Sequence, residues 1–78
     1  MSMSEVEWLE IFSGNLKSLM EGWGYTQSEL ADETGLSASA INRYLKGTMM
    51  PTAKSIVKLA YAFNCSTDDL IDFGDNID

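Results

Sequence analysis

Apolar residues recur at three- and four-residue steps along most of the chain, a period that predicts helices rather than strands. Leu9, Phe12, Leu16, Leu19, Met20 and Trp23 fall on one stripe of a first helix predicted over residues 5–21. Gly14 weakens that helix slightly, and Gly22 and Gly24 are predicted to end it. Thr26-Gln27-Ser28-Glu29 has the form of a capping box, with Thr26 as N-cap and Glu29 reaching back. It opens a second helix to about Thr34, broken at Gly35. Ser37 caps a third helix over residues 38–46, stopped by Gly47. After the loop to Pro51, Thr52 caps a fourth helix ending near Phe63, with Ile56, Leu59, Ala60 and Phe63 on its inner face and Asn64 suited to its C-cap. Ser66 caps a short fifth helix over residues 67–72, its first turn favoured by Asp68 and Asp69 and its packing by Leu70 and Ile71. Strand-like runs are nearly absent, so the expected fold is all-α with five helices.

The window from Gln27 to Lys46 carries the most information. Leu30 and Ala31 mark its first periodic segment, Gly35 the break, and Ile41 and Tyr44 the second segment. Two short helices that cross steeply need a small residue where they touch and a glycine where the chain turns. The layout suits a helix-turn-helix formed by helices 2 and 3, whose second helix can enter the DNA major groove.

Seventy-eight residues predict a single domain over the whole chain, with residues 1–4 read as disordered or extraneous and residues 73–78 as an acidic tail. An apolar content of 45% favours a globular chain over a disordered one. One cysteine, Cys65, and no histidine exclude an intrachain disulfide and a cysteine/histidine zinc site. Cys65 reads as a small buried hydrophobe in a reducing cytoplasm. No apolar stretch approaches the ~20 residues that span a bilayer, so no membrane partner is expected. The Gly22-Trp23-Gly24 triplet lacks the third glycine and preceding strand of a phosphate loop and reads as a helix end. With no histidine and no recognisable nucleophile–base pair, no catalytic residue, cofactor or metal is assigned, and an enzyme is not expected.

The net charge of −7 opposes nucleic-acid binding in sum but not in distribution. Residues 1–33 carry −6, with Lys17 the lone cation. Residues 34–67 carry Arg43, Lys46, Lys54 and Lys58 and no acid; residues 68–78 carry five aspartates. The positive block thus contains the third helix. A local basic face attracts phosphate while distant acids are screened beyond about 8–10 Å at physiological salt.

From Phe12 to Ile71 the chain resembles the helix-turn-helix domain shared by lambda-type repressors, Cro proteins and XRE-type bacterial regulators. The carriers are T-Q-x-E-L-A at Thr26 to Ala31, Gly35, Leu36-Ser37, Ile41, Gly47, Pro51 and C-S-T-D-D-L at Cys65 to Leu70. The resemblance implies a five-helix lambda-repressor-like domain. Two departures stand out. Where many relatives pair an arginine of the first helix with a glutamate late in the third, Met20 and Leu45 stand here and are predicted to touch; such a swap is often neutral or stabilising. Thr34 stands where relatives place an aliphatic residue, and is read as half-buried and without function.

The resemblance also implies the contacts. Ala38, Ser39, Asn42 and Arg43 match positions that face base edges. Arg43 suits a bidentate pair with guanine and Asn42 one with adenine, at a less favourable angle around the helix. Ser39 bonds either kind of base, and Ala38 and Ala40 suit contact with a thymine methyl. Gln27, Ser37, Lys46 and Thr48 match phosphate-contacting positions, Gln27 at a helix N-terminus that favours anions; Lys54 and Lys58 only add to the field. Ile41 and Tyr44 fall on the core side. The partner that the resemblance implies is double-stranded DNA, expected to be bound at a palindromic operator by a Cro-like repressor homodimer, with Val6, Trp8, Ile11, Phe73 and Ile77 as apolar dimer candidates. The competing reading is an acidic protein-interaction module, an antitoxin or phage regulatory factor, with a protein partner in place of DNA.

Overall fold

Hydroxyl side chains decide where the helices begin. The computed structural model describes residues 3–71, in which α1 (Glu5–Trp23), α2 (Gln27–Thr34), α3 (Ala38–Lys46) and α4 (Ala53–Ala62) are followed by a 3-10 turn at Thr67–Asp69. Each α-helix starts on a serine or threonine whose hydroxyl accepts the backbone N–H three residues on: Ser4, Thr26, Ser37 and Thr52. Caps of this kind stabilise a helix by about 1 kcal/mol each. Ser4 also donates to the Glu7 carboxylate at 3.0 Å. At the other end, α1 runs through Gly22 to Trp23, and only Gly24, at φ 73°, takes the left-handed conformation that stops it. Asn64, at φ 52°, plays the same part after α4. The Cys65 N–H donates to the Ala60 carbonyl and the Asn64 N–H to that of Tyr61, a complete Schellman closure.

The all-α expectation holds, and the fifth helix is corrected to a three-residue 3-10 turn. The Asp69 carboxylate accepts from the Ser66 N–H at 3.3 Å and its hydroxyl at 3.5 Å, tightening the turn. The Leu70 carbonyl accepts from Asn15 Nδ2 at 2.8 Å, which ties the turn to α1. Residue 72, where that helix was to end, lies outside the described residues, as do Phe73 and Ile77.

One core joins every element. Phe12, Leu16, Leu30, Ile41, Leu59 and Leu70 are fully buried, and Tyr44 and Phe63 nearly so. The Phe12 ring meets Tyr44 edge-on, centroids 5.8 Å apart, locking α1 to α3. The Tyr44 hydroxyl, buried, donates to Ser55 Oγ at 3.2 Å, locking α3 to α4. Trp8 stacks on Phe12 at 5.4 Å and joins the core's edge, and Ile11 is half-buried; of the three apolar dimer candidates ahead of Phe12, only Val6 is openly exposed. The larger exposed apolar surface lies on α4, at Val57 and at Tyr61, which is 88% exposed. Cys65 is half-buried; burial first, then the Asp69 carboxylate, push its thiol above the ordinary range and keep it protonated.

Thr34 has a structural role that the sequence did not disclose. It is buried, and its hydroxyl donates to the Leu30 carbonyl at 2.7 Å while accepting the Leu36 N–H at 3.2 Å. At the close of α3 the equivalent amide, Thr48 N–H, reaches a backbone carbonyl, that of Arg43; in the turn after α2 the threonine oxygen supplies the acceptor. Thr34→Val keeps the shape and leaves the Leu36 N–H without its partner. It is expected to cost about 1–3 kcal/mol in urea unfolding; an unchanged midpoint would show that the hydroxyl contributes nothing to the turn.

Candidate nucleic-acid interface

The α3 helix buries Ile41 and Tyr44 and turns its other side outward. Ala38, Ser39, Arg43 and Lys46 are exposed, and Asn42 is half-buried at the edge of the same face. Steps of three and four residues from Ser39 through Asn42 and Arg43 to Lys46 put these side chains on one stripe. The helix has the segregation expected of a rod held by one side only.

The first turn of α2 lies beside this stripe. Asn42 Nδ2 donates to Gln27 Oε1 at 3.4 Å, a long bond that ties the middle of α3 to the start of α2. Gln27 is half-buried, and with its oxygen engaged it presents its NH2 as a donor. The capping box is complete: the Glu29 N–H donates to Thr26 Oγ1 at 3.1 Å, and the Glu29 carboxylate accepts the Thr26 N–H at 3.0 Å. That backbone hydrogen bond, then the Thr26 side chain, hold the Glu29 carboxyl below its ordinary value. The N-terminal amides left for an anion are therefore those of Gln27 and Ser28, and they share the helix end with a carboxylate charge.

The other expected phosphate residues sit at the two ends of α3. Ser37 is exposed and its hydroxyl accepts the Ala40 N–H at 3.0 Å, so its O–H proton remains to be donated outward. Lys46 is exposed in the last turn. Thr48 is exposed, but its hydroxyl donates to the Arg43 carbonyl at 3.3 Å, which engages the proton that a phosphate contact would use. Lys54 and Lys58 belong to α4. Lys58 shares an α2–α4 groove with Glu33, Val57 and Tyr61, so the positive block divides into an α3 face and a separate α4 site of mixed charge.

Met20 is buried, Leu45 is half-buried against the same core, and both line one open groove of about 440 Å³ with Tyr25, Thr26 and Gln27. The apolar pair thus stands directly behind the start of α2. Two features escaped the sequence. The Asn42–Gln27 bond joins residues fifteen apart, which no short-range pattern connects. The position of Lys17 depends on how α1 docks against α3.

Comparison with known proteins agrees with this arrangement. A helix-turn-helix family profile matches residues 16–70. The cryptic phage CTXphi transcriptional repressor RstR of Vibrio cholerae serotype O1 is 40% identical over 45 residues, covering 58% of this chain. The chain spans only 40% of that repressor's length. The solution structure of the SOS-response transcriptional repressor LexA from Eubacterium rectale matches with a TM-score of 0.81 at 36% identity, covering 97% of this chain and 82% of that one. On the matched residues, the capped α2–turn–α3 unit and the shared fold, the chain belongs to the helix-turn-helix family of the lambda-repressor, XRE type.

Proposed function

We propose that the chain is a sequence-specific transcriptional repressor of Cro-like type, acting in the cytoplasm, which lays α3 in the major groove of a palindromic operator and binds it as a homodimer. The observation that carries this reading is the outward stripe of Ser39, Asn42, Arg43 and Lys46, braced from behind by the buried Ile41 and Tyr44. In this reading Arg43 and Asn42 take base edges, Ser39 and Ala38 fill the groove beside them, and Gln27, Ser37 and Lys46 hold phosphates. Thr48, its proton engaged, serves chiefly by closing α3. The repressor names of RstR and LexA support regulation of transcription.

Selection of bound duplexes from a randomised library is the direct test. It is expected to return a site of two inverted half-sites about one helical turn apart, the geometry of two recognition helices on one face of DNA. A single unrepeated half-site would reject the dimer, and no enrichment at all would reject sequence-specific binding.

The second reading, a protein-interaction module, draws on the net charge of −7 and on exposed Val57 and Tyr61 beside Glu33. Under it, substitutions on α3 would leave cellular function intact and Tyr61→Ala would abolish it.

A further inference from the structure

Along α1, Leu9, Ser13 and Lys17 are spaced by four residues and form one ridge. That ridge docks against the end of α3. The Ser13 hydroxyl donates to the Leu45 carbonyl. A Cβ placed on Gly47 would sit 3.8 Å from the Leu9 carbonyl oxygen and 4.0 Å from Ser13 Cβ, so the helices meet closely here. Lys17 lies one turn beyond Ser13, about 6 Å along the axis. It lines two adjacent grooves: one of about 370 Å³ shared with Lys46 and Gly47, the other shared with Thr26 and Gln27. Lys17 is exposed and stands between the residues assigned to phosphates at the end of α3 and at the start of α2.

We propose that Lys17 is a further DNA-binding residue, holding a backbone phosphate between those held by Gln27 and Lys46. The inference rests on the DNA-binding reading above and deepens it. Glu10 and Glu21 line the same grooves, so the site is mixed in sign. An exposed carboxylate attracts a lysine only weakly, and the long lysine stem lets the ammonium swing to a phosphate. The lone cation of residues 1–33 is thereby placed where α1 reaches the binding face.

The test measures binding of a labelled mixed-sequence duplex, roughly two helical turns long, across a salt series, for the parent, Lys17→Gln and Lys17→Arg. Each phosphate neutralised contributes about 0.9 to the log–log salt slope. Lys17→Gln is expected to lose about that much, so the parent's advantage shrinks roughly 3.5-fold for each fourfold rise in salt. Lys17→Arg is expected to keep the parent slope, and both variants the parent melting temperature. A parent that binds with a salt-dependent affinity, beside a Lys17→Gln of equal slope, overturns the proposal alone. A fall in melting temperature without a change of slope does so too, by assigning Lys17 a merely structural role. A parent that binds no duplex at low salt overturns the DNA reading and this contact with it.

Discussion

Arg43→Ala is expected to weaken binding to the selected operator about 5- to 150-fold, the equivalent of the ~1–3 kcal/mol that a bidentate arginine–guanine pair contributes to discrimination. Stability should not fall with it. Arg43 is exposed in the second half of α3, and alanine is the better helix former. The comparison that isolates base reading is Arg43→Lys. Lysine keeps the charge and so most of the salt slope, but lacks the planar fork that takes two acceptors of guanine at once. Loss of operator preference with retained non-specific affinity is therefore the expected result for Arg43→Lys; Arg43→Ala loses both. Gel shifts on the selected operator and on a scrambled duplex read the two quantities separately. Arg43→Ala binding its operator as tightly as the parent would mean that α3 does not read bases through this residue. Asn42 sits differently. Its amide already donates to Gln27, so removing it disturbs the α2 contact as well as any base contact, and its effect would not report readout alone.

The reach of the sequence follows from the range of the forces involved. Thr26, Ser37 and Thr52 announced their helices because a capping hydroxyl acts on an amide three residues away. Gly35 and Gly47 announced the ends because left-handed backbone is local too. Between Gly22 and Gly24 that logic had no means to choose: both suit a stop, and the Gly24 and Tyr25 N–H groups converging on the Met20 carbonyl decide it. At the 3-10 turn the Leu70 carbonyl is taken by Asn15 across 55 positions, a contact that no local pattern announces. Trp8 looked like an exposed hydrophobe because its partner, Phe12, is one turn away on a helix whose docking was unknown.

The same division runs through the candidate interface. The stripe of α3 was legible, since burial of Ile41 and Tyr44 leaves Ser39, Arg43 and Lys46 outward by helical geometry alone. What α3 shares with its neighbours was not. The Gln27–Asn42 bond and the approach of Lys17 each need two elements placed in space. Thr34 is the mixed case: its burial was half-anticipated, but its hydroxyl serves an amide beyond Gly35, and an acceptor there shows only once the turn is built.

Phe12→Ala is expected to have the largest effect on stability. The ring is fully buried, stacked on Trp8 and edge-on to Tyr44, so truncation removes contacts on both sides and leaves a cavity between α1 and α3. Phenylalanine-to-alanine changes in cores cost about 3–5 kcal/mol. A domain of this size has roughly 4–12 kcal/mol in total, so the variant loses about a quarter of its stability or more. Thermal melts followed by circular dichroism should drop by some 15–30 °C, at ~4–8 °C per kcal/mol for a domain this small. Phe12→Leu, which fills most of the space, should lose only a minor part of that. The consequence for DNA is indirect. No residue of α3 is changed, yet Tyr44 loses the ring that sets it, and with it the brace that keeps Arg43 outward. Saturating operator duplex should accordingly raise the variant's melting temperature, because DNA binds only the folded form. A fall of under about 5 °C, near what 1 kcal/mol would give, would show that α1 is not integral to the helix-turn-helix, and that the α2–α3 unit stands without it.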